Sequence, residues 1–411
     1  MHQGLRVPLA VAVLSLVSLQ ATEAQRGGQV QLPEGPGKEV VQARCISCHG
    51  LNQITGAAGY DQAGWKHVID SMIKLPPEQM AAATTYLAAN FPEKPGRRPT
   101  LVPGPAKVIF KEWIVPTLGQ RSRDPLQMAD GTIWWTGQYG SLVGRLNPKT
   151  GEMKEFELPP EVRPHSIAAD RAGNIWYMGN ANGTVGKLNP STGGITVYKM
   201  PDPAARDPHT PIFDQKGRLW FTLQGSNMVG RLIPETGDIK LITLPTPDAR
   251  PYGIKVNSQG VPWLCYNGSH KLASLDPETM EVREYPLPTP ETRIRRLALT
   301  SDDLVWYLDF SRGYLGRFNP KTGEVKTWPS PSGPRSAPYA IAVVNDVIWY
   351  NESNQRPDAL VRFDPKTEKF QSWAIPSGVG IIRHMTVSPE GNLVFHQSSI
   401  NRIGLVMIGG N

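Results

Sequence analysis

Two sets of residues in this chain have types and spacings suited to chemistry. The first is Cys45-Ile46-Ser47-Cys48-His49. Two thiols one helical turn apart can add to the two vinyl groups of one haem, and the histidine that follows is placed to bind its iron. A redox dithiol and half of a zinc site are the competing uses of this spacing. The first wants a βαβ setting and the second another cysteine pair, and the sequence offers neither. The second set is dispersed. Arg123, His165, His209, Tyr252, Arg295, Pro338 and Arg383 each stand eleven residues before a recurring tryptophan or its replacement, with Tyr339 and His384 one step further on. Three residues after the same tryptophans lie Gly137, Gly179, Leu223, Tyr266, Asp309, Glu352 and Gln397. Imidazoles, guanidiniums, phenols and a few acids at matching places in successive repeats suit an anionic or phenolic small molecule, with histidines able to move protons.

The element that must bring the dispersed set together is legible in its period. The aromatic recurs at Trp134, Trp176, Trp220, Trp263, Trp306 and Trp349, with Val394 in the seventh place, at steps of 42–45 residues. Each unit holds about four short β runs separated by Gly, Asn, Asp and Pro, which is the signature of one propeller blade. An N-P-x-T-G type turn recurs at Asn147–Gly151, Asn189–Gly193 and Asn319–Gly323, and the last run of a unit ends in Pro, as at Pro159, Pro201 and Pro245. The final unit, 382–408, lacks its outermost strand, and Val108–Pro116 looks like one. Residues 107–411 are therefore expected to form a seven-bladed propeller, with 107–116 closing the ring against 382–408. The tryptophans are expected as core between blades, and Cys265 as a buried thiol.

The region before it reads differently. Arg6, the apolar run Val7–Leu19 and Thr22-Glu23-Ala24 read as an export signal over residues 1–24. That run is too short to persist as a membrane span, so a periplasmic or otherwise exported, soluble chain is expected. Lys38–Arg44 reads as a helix entering the cysteine motif, Trp65–Met72 as a second and Gln79–Asn90 as a third. With W-x-x-x-V-x-x-M followed by a helix carrying Tyr86-Leu87, residues 25–91 resemble a small class I cytochrome c domain. The resemblance implies one covalent haem c on Cys45 and Cys48, with His49 proximal and Met72 as the sixth ligand; Met80 and His67 are the rival ligands. Residues 92–106, with Pro92, Pro95, Pro99, Pro103 and Pro105, read as an extended linker. The fold class expected is thus multidomain, a small all-α domain followed by an all-β propeller.

The repeat G-x-[IL]-W-[FY], then [VI]-G-[RK]-[LF]-x-P-x-T-G, resembles the streptogramin B lyase-like propellers, of which virginiamycin B lyase is the type. This resemblance covers about 300 residues and implies a C–O lyase that opens a cyclic ester with Mg²⁺. It places histidines at two successive channel-rim positions, matched by His165 and His209, with Asp207 in place of one glutamate. The second glutamate position is Leu223, so a Mg²⁺ site is doubtful. Three functions follow: an oxidoreductase passing electrons between haem and a small molecule or redox protein, a haem-bearing docking module, or a lyase. Arg123, Tyr252, Arg295, Asp309, Tyr339, Glu352, Arg383 and His384 are the expected funnel around catalytic His165 and His209. The net charge of +7 is scattered, with no run of five or six basic residues, which argues against a nucleic-acid partner. Three cysteines exclude a disulfide framework.

Overall fold

The computed structural model describes residues 31–45, 54–55, 59–92, 97–378 and 380–409. The expected signal segment, Cys48 and His49 lie outside the described residues. No helix among the described residues is long and apolar enough to cross a membrane.

The repeats fold as seven four-stranded antiparallel sheets. Blade 1 comprises β2 (Ser122–Gln127), β3 (Ile133–Gly137), β4 (Leu142–Leu146) and β5 (Met153–Glu157). Blades 2 to 6 repeat the pattern through β25 (Lys369–Ala374). In blade 7, β26 (Met385–Val387), β27 (Leu393–Gln397) and β28 (Arg402–Ile408) are completed by β1 (Val108–Ile114). The β1–β28 ladder runs from Val108 opposite Ile408 to Ile114 opposite Arg402. Both ends of the propeller sequence thus share one sheet, and no inter-blade edge is left open.

The repeat motif has a packing cause. Six of the seven second strands are buried along their whole length, as in Ile175–Gly179 and Leu219–Leu223, and that of blade 6 is buried from its second residue on. The tryptophans lie between sheets, and four of their indole N–H groups, those of Trp134, Trp176, Trp220 and Trp306, are tied to the preceding turn: Trp176 Nε1 donates to Asp170 Oδ2 at 2.8 Å and Trp220 Nε1 to Asp214 Oδ2 at 2.9 Å. The residue after the tryptophan crosses the glycine of the V-G-[RK]-L strand. A Cβ on Gly186 would sit 1.9 Å from the Tyr177 ring, and one on Gly144 2.0 Å from Trp135. At these two positions only glycine leaves room for the ring. Apolar clusters bridge neighbouring blades, and Ile133, Trp135 and Leu146 of blade 1 pack with Val394 and Ile403 of blade 7 to close the circle.

Ahead of the propeller lie α1 (Lys38–Arg44), α2 (Gln62–Asp70) and α3 (Pro77–Asn90). Asp61 caps α2, its carboxylate accepting from Gly64 N at 2.7 Å. The second helix ends earlier than the expected Trp65–Met72, because Ser71 Oγ bonds back to Val68 O and the chain turns there. Val41, Trp65, Val68, Ile69, Ala83, Tyr86 and Leu87 form one core. Ile400, from the β27–β28 turn of the propeller, is fully buried in that same core. His67 Nε2 meets Arg402 Nη2 at 3.0 Å, and Gly119 N donates to Ser71 O at 3.2 Å. The helical unit is therefore seated on the rim between blades 7 and 1. The expected linker is not a free spacer from residue 97 onward. Val102 exchanges hydrogen bonds with Ser372 at 2.8 and 2.9 Å, and Ala106 with Gln371 at 3.1 and 2.7 Å, which straps it to blade 6.

Candidate functional site

The innermost strands carry a local irregularity that decides which side chains reach the axis. Register breaks between Arg123 and Leu126, Pro208 and Pro211, Pro251 and Ile254, Ile294 and Leu297, and Pro338 and Ile341. A bulge adds a residue to one strand and re-aims its neighbours, so adjacent residues can both point inward. Asp124 adopts φ 25° at one of these bulges.

Asp124 is the centre of the arrangement. Its Oδ2 accepts from Arg296 Nη2 of blade 5 at 2.8 Å and from Ser166 Oγ of blade 2 at 2.7 Å. His384 Nδ1 lies 3.4 Å and His165 Nδ1 3.9 Å from the same oxygen, and His396 Nε2 lies 3.7 Å from Oδ1. Arg296 also donates to Thr210 Oγ1 of blade 3 at 3.0 Å and to the Arg383 carbonyl at 3.1 Å. All of these side chains are buried. Burial alone would push the Asp124 carboxyl up, but the Arg296 guanidinium paired with it outweighs that and holds it well below the usual carboxylate range. Burial, ahead of the neighbouring cations, holds His165, His209 and His384 well below 6.5 and His396 at about 3. The imidazoles are thus neutral at neutral pH. Arg123, tied to Gln138 Oε1 at 3.1 Å, is brought down to about 9 by burial.

From this cluster a line of rings runs to the channel mouth. His165 and His209 stack with centroids 3.7 Å apart, and His209 lies 4.2 Å from Tyr252. The Tyr252 and Tyr339 hydroxyls are 2.5 Å apart, and Arg295 Nη1 donates to the Tyr339 hydroxyl at 3.3 Å. The Arg295 guanidinium lies 4.4 Å from the Phe310 ring centre. Burial would raise the Tyr339 phenol, yet Arg295 and Arg383, with the Tyr252 hydrogen bond, bring it below its ordinary value. Here a cavity of about 210 Å³ opens, lined by Arg295, Arg383, Tyr339, Phe310, Ser353 and Asn354 with apolar Ala337 and Ile381.

The structure brings together Arg123, His165, His209, Tyr252, Arg295, Tyr339, Arg383 and His384. It does not bring Asp309 and Glu352 to them. Asp309 accepts from Thr292 Oγ1 and Ser311 Oγ and pairs with Arg312, while Glu352 accepts from Ser330 Oγ and Ser332 N, each capping a loop of its own rim. Both carboxylates are thus engaged by loop groups, and no acid is among the described residues that line the mouth cavity. Sequence reading missed Asp124, Arg296 and His396. The first two stand one residue beyond the positions that were read, where bulges turn them inward; the third stands two beyond Val394 on a regularly paired strand. Cys265 is fully buried, its thiol pushed up to about 12 by burial.

In the helical unit, Cys45 closes α1 and Met72 lies just past α2, both half-buried against the shared core. Met80 is inside that core, and His67 is engaged by Arg402. Among the described residues no group of three or more His, Cys, Asp or Glu could hold a metal ion. At the positions implied for Mg²⁺, Leu223 offers no ligand and Asp207 is held by Asn180. The residues do not fit that ion.

Fold and site together define a closed seven-bladed propeller with a polar, cationic channel opening to a small pocket. Residues 110–275 and 238–411 match the virginiamycin B lyase family. The chain belongs to that family. In fold it is similar to virginiamycin B lyase from Staphylococcus aureus (20% identity, 73% of this chain and 99% of that one, TM-score 0.67). A streptogramin B lyase structure gives 24% identity, 74% and 98% coverage and a TM-score of 0.66. A catalytically inactive histidine-to-alanine variant of the Staphylococcus aureus lyase with quinupristin gives 20%, 73%, 99% and 0.66. No curated protein matches the chain.

Proposed function

We propose that the propeller is a lyase of the C–O elimination class acting on an ester at the channel mouth. One observation carries the reading: Arg295 and Arg383 line one cavity with Tyr339, whose hydroxyl is bonded by both Tyr252 and Arg295. Family membership supports the same class.

The mechanism follows from these groups. Once its own proton has passed to solvent, the Tyr339 phenolate, held by the Arg295 guanidinium, takes a proton from the carbon next to the substrate carbonyl and later returns it to solvent. The electrons of that C–H bond form a C=C bond, and the β C–O bond breaks with its pair leaving on the departing carboxylate. Guanidiniums already in place stabilise charge that develops as the bond breaks. Arg295 and Arg383, which line the same cavity, would meet the departing carboxylate. His165 and His209 do not line the cavity; they act as positioning residues, backing Tyr252 through the 4.2 Å ring contact. Their neutrality keeps further positive charge off the channel. No step passes through Mg²⁺.

The test is mass spectrometry of a streptogramin B and of small β-acyloxy esters incubated with the full chain. Elimination gives an acid and an alkene with no gain of water. Turnover that persists in EDTA and is lost in Tyr339→Phe supports the reading. A product that has gained water, or turnover unchanged in Tyr339→Phe, overturns it.

A second reading adds redox chemistry in the helical unit. It is favoured by Cys45 and Met72 packing on the core that grips Ile400. Cys45, Cys48, His49 and Met72 would hold haem c, which supplies one-electron transfer when bound. Export to the periplasm, as the amino-terminal segment implies, belongs to this reading, because c-type attachment occurs there. A denaturing gel stained for thioether-linked haem decides it: a pigment band lost in Cys48→Ser is expected, and a colourless band from a competent host refutes it.

A further inference from the structure

The mouth pocket is cationic and small, and it is shaped by a part of the chain that lies outside the family match. Arg295 and Arg383 line it with no carboxylate among the lining residues. The nearby acids are committed elsewhere, Asp124 to Arg296 and Asp309 to Arg312. Arg295 Nε is buried and has no hydrogen-bond partner among the described residues. Two guanidiniums with at most one phenolate and no carboxylate between them in one cavity call for a further anion, and a planar guanidinium matches a carboxylate edge to edge. Phe310, Ala337 and Ile381 make the rest of the wall apolar. The volume, about 210 Å³, is below the roughly 300–1,000 Å³ of sites for drug-sized ligands.

The blade-6 wall is held by the N-terminal strap. Arg97 Nε donates to the Asn354 carbonyl at 3.2 Å and its Nη2 to Asn354 Oδ1 at 3.0 Å. Arg356 N donates to the Arg97 carbonyl at 2.6 Å. Asn354 also donates to Arg335 O at 2.8 Å, so both ends of this pocket-lining residue are fixed. Further along, Thr100 N donates to Ser332 Oγ at 2.9 Å. The matched family region starts at residue 110, and Arg97 lies outside it.

We infer that the mouth pocket binds a small carboxylate with an apolar body, and that Arg97 is the positioning residue that closes it against larger cyclic esters. This rests on the lyase reading only in taking that carboxylate to be the acid part of the substrate. Benzoate is the probe. Isothermal titration of the full chain is expected to show benzoate binding at least about 10-fold tighter than its neutral isostere benzamide, weakening as salt rises. Arg295→Gln/Arg383→Gln should lose about 10-fold or more in benzoate affinity. Arg97→Ala should weaken benzoate while strengthening competition by quinupristin, a split that a general loss of stability would not produce. Equal binding of benzoate and benzamide by the wild-type chain overturns the inference without need of any variant. So does quinupristin displacing benzoate from wild-type chain and Arg97→Ala alike. Ester turnover indifferent to benzoate overturns this inference and leaves the lyase reading standing. Benzoate binding without any ester turnover does the reverse.

Discussion

Acidification should unfold this propeller from its axis outward. His165, His209, His384 and His396 are buried and held neutral, far below the 6.5 at which they titrate in an unfolded chain. The unfolded chain therefore takes up protons first, and stability is lost as pH falls below 6.5, down to about 3 for His396. Each such group is worth about 1.4 kcal/mol per pH unit in that window, so four give roughly 5 kcal/mol over one unit. Asp358 works in the opposite sense. Burial holds its carboxyl well above 3.8, so it offsets about 1.4 kcal/mol per unit below its folded pKa. Asp207 and Glu352, also raised by burial, oppose in the same sense closer to their ordinary range. The four histidines outnumber the opposing acids, so the net change from pH 7.5 to 5.5 is a loss of stability, set against the ~5–15 kcal/mol that holds a domain together. Urea titrations followed by tryptophan fluorescence measure it. His396→Gln should be less stable at pH 7.5, since it loses contacts to Arg383 N and Ser398, yet its stability should depend on pH less steeply by about 1.4 kcal/mol per unit. A wild-type midpoint that is the same at pH 7.5 and 5.5, or a slope unchanged in His396→Gln, would refute the neutral-histidine argument.

Asp124→Asn leaves Arg296 buried without its counter-charge, and calorimetry should report a loss of about 3–5 kcal/mol at pH 7.5. Gly186→Ala forces a Cβ to within 1.9 Å of the Tyr177 ring; the ring must leave its place, and the expected cost is about 1–3 kcal/mol or more, read as a lower unfolding midpoint. Ile400→Asp puts a charge into the helical core; limited proteolysis should then release the helical unit while the propeller's circular dichroism stays intact. Tyr339→Phe should lower ester turnover by about 10²–10⁴-fold, the usual worth of a positioned base, with benzoate affinity changed far less.

The repeat decided the fold. Six tryptophans at a nearly constant step, glycines opposite the following aromatic and turn residues between runs can be satisfied together only by blades stacked in a circle, and each of those features is local in the chain. The Cys45–His49 spacing is equally local, but Cys48 and His49 lie outside the described residues, and the haem it implies stands as a proposal. The channel was half legible. His165, His209, Tyr252 and Arg295 could be read from one position per repeat, because repetition maps sequence onto a ring. Asp124 and Arg296 could not, since they are 172 residues apart and meet only because bulges turn a second residue of each inner strand toward the axis. Asp309 and Glu352 looked equivalent to the inward set by count, and only the tertiary structure engages their carboxylates with loop groups instead. Arg97 carries no local sign of its task. Its contact with Asn354 spans 257 residues, and only the closed ring places the start of the chain against blade 6.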